Sequence, residues 1–353
     1  MHISNSKNKL LEKIILDKKL SYSEYKILLS NLDSNTVSLF NKEAQKIALK
    51  RFGNNIYIRG LLEISNCCHN NCFYCGIRNG NTKVKRYSLS KNQILECCRY
   101  AYKLDFRTIV LQGGEYDKKS VDFIIDLIKS IRQEFPDLAI TLSLGEFSKQ
   151  TYQDFYDAGA NRYLLRHETF NAEHYKKLHP SDMSRDNRLQ CLYNLKDIGY
   201  QTGSGIMVGS PYQTIDNIVE DILFIQELCP EMIGLGPFLS HKDTPFANFP
   251  NGSLNMTLML LSIFRIMFPD ALIPSTTSLN TLDKEGRRLG ILAGANVLMP
   301  NLSPPINRKD YSLYDNKSSF GLESAEHKIE LDNYLKGFGY KISYSRGDYE
   351  KLS

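Results

Sequence analysis

The sequence predicts an α/β fold, a complete (β/α)8 TIM-type barrel with an N-terminal helical extension and a short C-terminal extension, on three observations. From residue 56 onward, eight short apolar or β-branched runs alternate with longer segments of helical period. Three of the returns from helix to strand share one chemistry: Ala158-Gly159-Ala160-Asn161, Ile198-Gly199-Tyr200-Gln201 and Ala293-Gly294-Ala295-Asn296. A glycine just past each helix can take the left-handed conformation that ends it. No Pro/Gly/Ser-rich linker or long single-sign charge run divides the 353 residues, a length that suits one such barrel or two ordinary domains. Periodicity alone leaves a doubly wound open sheet as the alternative.

The elements follow in order. Residues 1–52 read as the helical extension, in which Leu10, Leu11, Ile14 and Ile15 share one face and further amphipathic pieces cover 21–32 and 37–51. The barrel is assigned to 53–323, with strands at 56–64, 108–111, 139–144, 162–165, 202–208, 232–235, 271–274 and 296–299. Ser90-Lys-Asn-Gln93 is a capping box that opens a helix through Leu104, and 118–135 carries the next helical period. Residues 254–268 are the most apolar stretch, yet Asn255, Thr257, Ser262 and Arg265 interrupt it, so it reads as a buried helix and not a membrane span. The segment 324–353 reads as an amphipathic helix and a polar end.

Lys and Arg total 44 against 39 Asp and Glu, a net charge of +5, too small an excess to imply a nucleic-acid or other polyanionic partner without clustering. The amino terminus lacks the basic-then-apolar pattern of a secretion signal, which points to a cytoplasmic, reducing location. The eight cysteines agree, because a chain this long with four of them inside nine residues is no disulfide framework. Cys97, Cys98, Cys191 and Cys229 read as core residues.

The four crowded cysteines lie in Ser65-Asn-Cys-Cys-His-Asn-Asn-Cys-Phe-Tyr-Cys-Gly76, directly after the first strand. Cys68-x3-Cys72-x2-Cys75 can hold three irons of a [4Fe–4S] cubane, since soft thiolates match Fe–S chemistry and a short loop can wrap one cluster. The fourth iron then has no protein ligand and can be chelated by the amino and carboxylate groups of S-adenosylmethionine (SAM). Cys67 shifts the spacing to x4-x2, and with His69 it offers a fourth ligand to a structural zinc; that reading and free buried thiols are the alternatives.

Further polar groups gather at predicted strand ends, where a barrel places its chemistry. Leu111-Gln-Gly113-Gly114-Glu115 ends the second strand, and its glycines let backbone approach a ligand. Arg166-His167-Glu168-Thr169 ends the fourth; side chains alternate there, so Arg166 and Glu168 share a side, the arginine to pair with a carboxylate and the glutamate to accept from hydroxyl or amino groups. A structural ion pair is the plainer alternative, and His167 then faces the helices. Ser143 and Arg188 stand at other mouth positions. Pro274-Ser-Thr-Thr-Ser278 offers hydroxyls to a small anion, and Met299-Pro-Asn301 closes the eighth strand.

Taken together, these strings resemble the [FeFe]-hydrogenase maturase HydE family of radical SAM enzymes, from the first helices to about Tyr314. The resemblance rests on Ser65-Asn-Cys-Cys with Cys72-Phe-Tyr-Cys-Gly, Lys85-Arg-Tyr, Thr108-Ile-Val-Leu-Gln-Gly-Gly-Glu, Thr141-Leu-Ser-Leu-Gly-Glu, Tyr163-Leu-Leu-Arg-His-Glu-Thr, Gly205-Ile-Met-Val-Gly, Gly234-Leu-Gly-Pro-Phe, Asp243-Thr-Pro, Ile273-Pro-Ser-Thr-Thr and Gly294-Ala-Asn-Val-Leu-Met-Pro-Asn. It implies a [4Fe–4S] cluster on Cys68, Cys72 and Cys75 that reductively cleaves SAM to a 5′-deoxyadenosyl radical. Tyr74 would lie beside the adenine, and Gly113, Gly114, Glu115, Ser143, Arg166, Glu168 and Arg188 would bind SAM. It also implies a deep cavity lined by Met232, Thr276, Thr277, Met299, Tyr311 and Tyr314, with Tyr314 lining or redox-tuning it. The implied substrate is a small organometallic iron complex, cysteine-bound Fe(CO)2CN made by a HydG-like maturase, on the way to a diiron unit passed through a HydF-like scaffold; a reducing electron donor is required. Some members carry extra cysteines near the carboxyl terminus for an accessory cluster, whereas no Cys follows Cys229 here, so a single cluster is expected. Methylornithine synthase, a relative on the same barrel, is the enzymatic alternative. Biotin synthase-like sulfur insertion is disfavoured for want of second-cluster cysteines, and an Fe–S electron carrier or scaffold is the alternative of another class.

Overall fold

The structure, a computed structural model, describes residues 2–115 and 120–351, with side chains from residue 7; the first two residues of the helix expected at 118–135 lie outside these. Helices cover His2–Asp17, Tyr22–Leu29, capped by Ser21, and Ser34–Phe52, capped by Asp33, and Leu10, Leu11 and Ile14 turn inward as their spacing requires. Eleven strands follow among the described residues: β1 Asn55–Ile58, β2 Gly60–Ser65, β3 Thr108–Gly113, β4 Ala139–Ser143, β5 Arg162–Leu164, β6 Gln201–Ser204, β7 Met207–Val208, β8 Met232–Ile233, β9 Gly236–Pro237, β10 Val297–Leu298 and β11 Lys341–Ser343.

All named pairings are parallel. The run β2-β3-β4-β5-β6-β8 forms one continuous sheet, β7 pairs β9 as the upper continuation of β6 and β8, and β10 pairs β1. Single bridges complete the circle: Met232 to Leu272, Pro274 to Val297, and Leu61 to Asn301. The sheet therefore closes, which excludes the open doubly wound alternative. Four expected strands are modified. The first breaks at Arg59 into β1 and β2, the fifth at Gly205 and Ile206 into β6 and β7, the sixth ends at Ile233 before β9, and the seventh, containing Pro274, which has no amide hydrogen to donate, is reduced to its two bridges.

Local chemistry explains the elements. Ser90 accepts from the Gln93 amide while Gln93 reaches back to the Ser90 amide, the reciprocal cap expected for helix Lys91–Lys103. Gly159, Gly199 and Gly294 have φ of +118°, +100° and +101°, the left-handed turns expected at the helix ends. In helix Val121–Glu134, Ile124, Leu127, Ile128 and Ile131 are fully buried against the barrel, each contributing about 1.5–3 kcal/mol of apolar burial. Among the described residues no helix is long and apolar enough to cross a membrane. Cys98 and Cys191 are buried as expected; Cys229 is not, because it takes a left-handed conformation at the exposed end of helix Ile215–Leu228.

The tail has a role that its sequence did not announce. Beyond helix Lys328–Lys336, β11 adds to the edge of β1, pairing Asn55 with Lys341 and Tyr57 with Ser343. Arg346, Gly347 and Asp348 then cross under the barrel, where the fully buried Arg162 donates to two of their carbonyls and, at 2.6 Å, to the Asp348 carboxylate.

Candidate active site

The loop after β2 carries Cys68, Cys72 and Cys75, and side chains that bind its backbone carbonyls set its shape. Arg86 donates to the carbonyls of Asn66, Ile77, Arg78 and Asn81, and Asn66 bridges the carbonyls of Lys85 and Asp310. The Gly76 amide donates to Leu313, so the loop is also tied to the segment after the last strand. Gly114 is pressed against it: a Cβ there would lie 2.3 Å from the Cys67 carbonyl and 2.6 Å from Cys68 Cβ. Only glycine permits that approach.

All three thiols line one cavity of about 320 Å³ at the carboxyl ends of the strands. Burial pushes each of them above the ordinary thiol value, Cys75 to about 12, and at Cys72 and Cys75 the charge of a neighbouring thiolate adds to the shift. Three close sulfurs that resist ionisation singly become thiolates together only beside positive charge, which is what an iron–sulfur cluster supplies, so this donor set fits the expected cubane. The zinc alternative loses its fourth ligand: the exposed Cys67 faces the Tyr87 carbonyl, and His69 Nδ1 is 3.0 Å from the Glu115 carbonyl.

Arg166 and Glu168 meet on the cavity wall as the strand alternation required, Nη2 to Oε2 3.0 Å, and the buried Arg166 Nε has no hydrogen-bond partner in the protein. An unspent guanidinium donor beside a carboxylate at one wall suits a ligand with both a carboxylate and hydroxyl or amino groups. Glu168 reaches this wall with φ +63°, a left-handed conformation that costs a non-glycine residue about 1–3 kcal/mol. Arg188, from helix Arg185–Ile198, binds Glu146 at 2.6 Å, Glu115 at 3.2 Å and the Arg166 carbonyl at 2.6 Å. Burial works against its charge, but the two carboxylates outweigh burial and hold its pKa well above the ordinary arginine value. Gly113, Ser143 and Tyr74 line the same cavity. Tyr74 is held by its hydroxyl, 3.1 Å from His179 Nε2; burial, then the nearby Arg188 charge, drives His179 down to about 3, so its ring is neutral and accepts.

Deeper in the cavity stand Thr276, Met299, Tyr311 and Tyr314, as expected. Met232 and Thr277 do not line it. Met232 begins β8 at the level of Gly203, one layer down, where its sulfur accepts from Arg59 at 2.9 Å. Thr277 starts helix Thr277–Leu282, and the rotation of about 100° per helical residue turns it from Thr276 towards Glu323, 3.0 Å away. Sequence reasoning passed over Gln112, which donates to the Tyr311 hydroxyl at 3.2 Å, along with Met207 in the wall, whereas Ser278, one of the hydroxyls it did offer to a ligand, stands there. It also passed over Asp221, which carried a signal: it is a lone acid on the buried stripe Ile218, Ile222 and Ile225.

The Radical SAM superfamily model matches residues 62–225. Across 276 residues, 78% of each chain, the sequence is 45% identical to the [FeFe] hydrogenase maturase subunit HydE of Thermotoga maritima. Its structure is similar to that of methylornithine synthase PylB, with a TM-score of 0.81 and 26% identity over 95% of this chain and 97% of that one. The fold of the hydrogenase maturase HydG also matches, with a TM-score of 0.81 at 22% identity over 97% of this chain and 76% of the other.

Proposed function

The chain belongs to the HydE branch of the radical SAM superfamily, and from that premise we propose how its residues divide the work. It is a radical SAM enzyme of [FeFe]-hydrogenase maturation that uses a [4Fe–4S] cluster and SAM. Cys68, Cys72 and Cys75 hold the cluster, leaving one iron to the amino and carboxylate groups of SAM. When bound, the pair supplies a 5′-deoxyadenosyl radical by reductive cleavage. Arg166 offers its planar donors to the SAM carboxylate, and Glu168 accepts from ribose hydroxyls or the amino group. Gly113, Gly114, Glu115 and Ser143 complete the cradle, with Tyr74 beside the adenine. Arg188 acts behind them by fixing Glu115 and Glu146. Thr276, Met299, Tyr311 and Tyr314 enclose a small organometallic iron substrate and keep water from it, while Met232 and Thr277 reach it only through neighbours.

The barrel that does this is residues 53–323, with 1–52 and 324–353 as extensions. The enzyme works with other maturases; a HydG-like source of substrate, a HydF-like scaffold as acceptor, a reducing electron donor and a cytoplasmic setting complete the proposal. What carries the site reading is the convergence of three thiols with the unpaired Arg166 Nε and the Glu168 carboxylate on one cavity.

The test is anaerobic reconstitution, reduction and assay for 5′-deoxyadenosine with iron quantified in parallel. Wild-type protein should hold about four irons and form 5′-deoxyadenosine, and Cys72→Ala should lose both. A deletion strain should lack active [FeFe] hydrogenase. If hydrogenase survives the deletion while 3-methylornithine disappears, the methylornithine synthase reading, favoured by the 0.81 TM-score to that enzyme, replaces this one.

A further inference from the structure

Glu168 is held in its left-handed conformation by groups that do not face the cavity. After β5 the chain runs Leu165-Arg166-His167-Glu168-Thr169, and alternation sends His167 the opposite way from its neighbours, to a fully buried position in the helix layer. There its Nδ1 lies 2.9 Å from Ser204 Oγ at the end of β6, and its Nε2 lies 3.3 Å from Asp221 Oδ1. The ring also packs edge-on against Phe224, one turn further along the same helix, Ile215–Leu228.

Asp221 Oδ1 has a second partner: it accepts from the Phe170 amide at 2.5 Å. One carboxylate oxygen thus sits against the ring of the residue before Glu168, 3.3 Å from Nε2 and outside hydrogen-bond alignment, and holds the second residue after it by its backbone amide. Between these contacts the Thr169 amide donates to the His167 carbonyl at 2.8 Å, closing a tight turn around Glu168. The Glu168 amide donates to Gly205, and its carbonyl accepts from Met207, which fixes the peptide planes against the neighbouring strand. Nothing in the side chain of Glu168 favours φ +63°; the constraint comes from its flanks.

We propose that His167 and Asp221 are positioning residues, a buried clamp that holds Glu168 in the strained conformation from which it reaches SAM. This rests on the assignment of Glu168 to the SAM wall. A hydrogen on Nε2 faces the Asp221 carboxylate favourably and leaves Nδ1 to accept from Ser204 Oγ at 2.9 Å, so the two neighbours together orient the ring. Loss of either side chain frees the turn, and Glu168 relaxes away from the cavity while the cysteine loop, on a different strand, keeps its cluster.

The measurement is a double-mutant cycle on reconstituted protein with the cluster oxidised, so that SAM binds without being consumed. The dissociation constant of SAM, iron content and melting temperature are read on each variant. His167→Phe should weaken SAM binding about tenfold in the wild-type background and less than about twofold in a Glu168→Ala background, because residues acting through one another are non-additive. Asp221→Asn, which keeps the volume and the Oδ1 acceptor but removes the negative charge facing the ring, should show the same dependence on Glu168, to a smaller degree, if the phenylalanine variant fails to fold. Iron content should match wild type in every folded variant. An equal loss in both backgrounds would mean that the pair acts on the fold at large, and unchanged binding in His167→Phe and Asp221→Asn would mean that it does not act on Glu168; either overturns the clamp. No SAM binding by wild-type protein holding a full cluster is a different result, and overturns the assignment of the wall together with the clamp built on it.

Discussion

The two ends of this barrel both bury arginines, and they do so under opposite conditions. At the mouth, Arg188 is bracketed by Glu115 and Glu146 and its charge is strengthened. At the floor, Arg59 is fully buried with no carboxylate in contact; its Nη1 meets only the Met232 sulfur, Nε and Nη2 have no protein partner, and burial pulls its pKa well below the ordinary value. Arg162, above the same floor, is rescued by the tail that crosses beneath it. Charge at the mouth is therefore organised around a place for a ligand, whereas charge at the floor is tolerated, and one of its two arginines is tolerated only because a distant segment covers it.

That contrast breaks first at Arg188. Arg188→Ala leaves two partly buried carboxylates without their shared counter-charge and removes the donor on the Arg166 carbonyl. It should cost about 3–5 kcal/mol of stability, read by urea denaturation, and abolish 5′-deoxyadenosine formation even where folded protein is recovered. A variant of near wild-type stability would show that the mouth carboxylates have another counter-charge, and the distinction between the two ends would weaken.

How much of this was legible follows from the range over which each signal acts. The cysteine loop, the Arg166/Glu168 pairing with His167 turned away, the Ser90 cap and the three glycine turns are all written within a few residues, so spacing alone exposed them. The break at Arg59 and the addition of β11 to β1 were not, because pairing Asn55 with Lys341 joins segments hundreds of residues apart and a three-residue strand has no period to detect. Met232 and Thr277 failed at the margin between these cases. The strand and the hydroxyl cluster were found, but the level of Met232 in the barrel depends on the register with β6, and the facing of Thr277 on where a helix begins.

A smaller effect is expected at the covered floor, and it depends on pH. Burial raises the Asp348 carboxyl, but its bond to Arg162 outweighs burial and leaves its pKa below the ordinary carboxylate value. A carboxyl depressed on folding stabilises fully above its unfolded value, about 4, and that contribution is lost as pH falls through the lower folded value. Protection factors of the amides of Lys341–Ser343 and their neighbours, with the intrinsic pH dependence of exchange divided out, should therefore fall in acid. Asp348→Asn should cost about 1–2 kcal/mol at neutral pH, reduced by the half-exposed setting, and should remove much of that acid dependence. If the asparagine variant keeps the acid response intact, the tail is held by β11 and not by its carboxylate.

The smallest effect is predicted at Arg59, and its sign is the informative part. Replacing a buried charge that lacks a partner with an apolar side chain of similar reach removes a desolvation cost, so Arg59→Met should lie within about 1 kcal/mol of wild type or exceed it in stability. The same change at Arg188 should not be tolerated, because there the carboxylates would be left behind. Arg59 lines a small space of about 20 Å³ together with Thr141, whose hydroxyl also has no protein partner. A loss of more than about 2 kcal/mol in Arg59→Met would therefore mean that those donors are satisfied in solution by something held in that space, and that the floor, like the mouth, is built around an occupant.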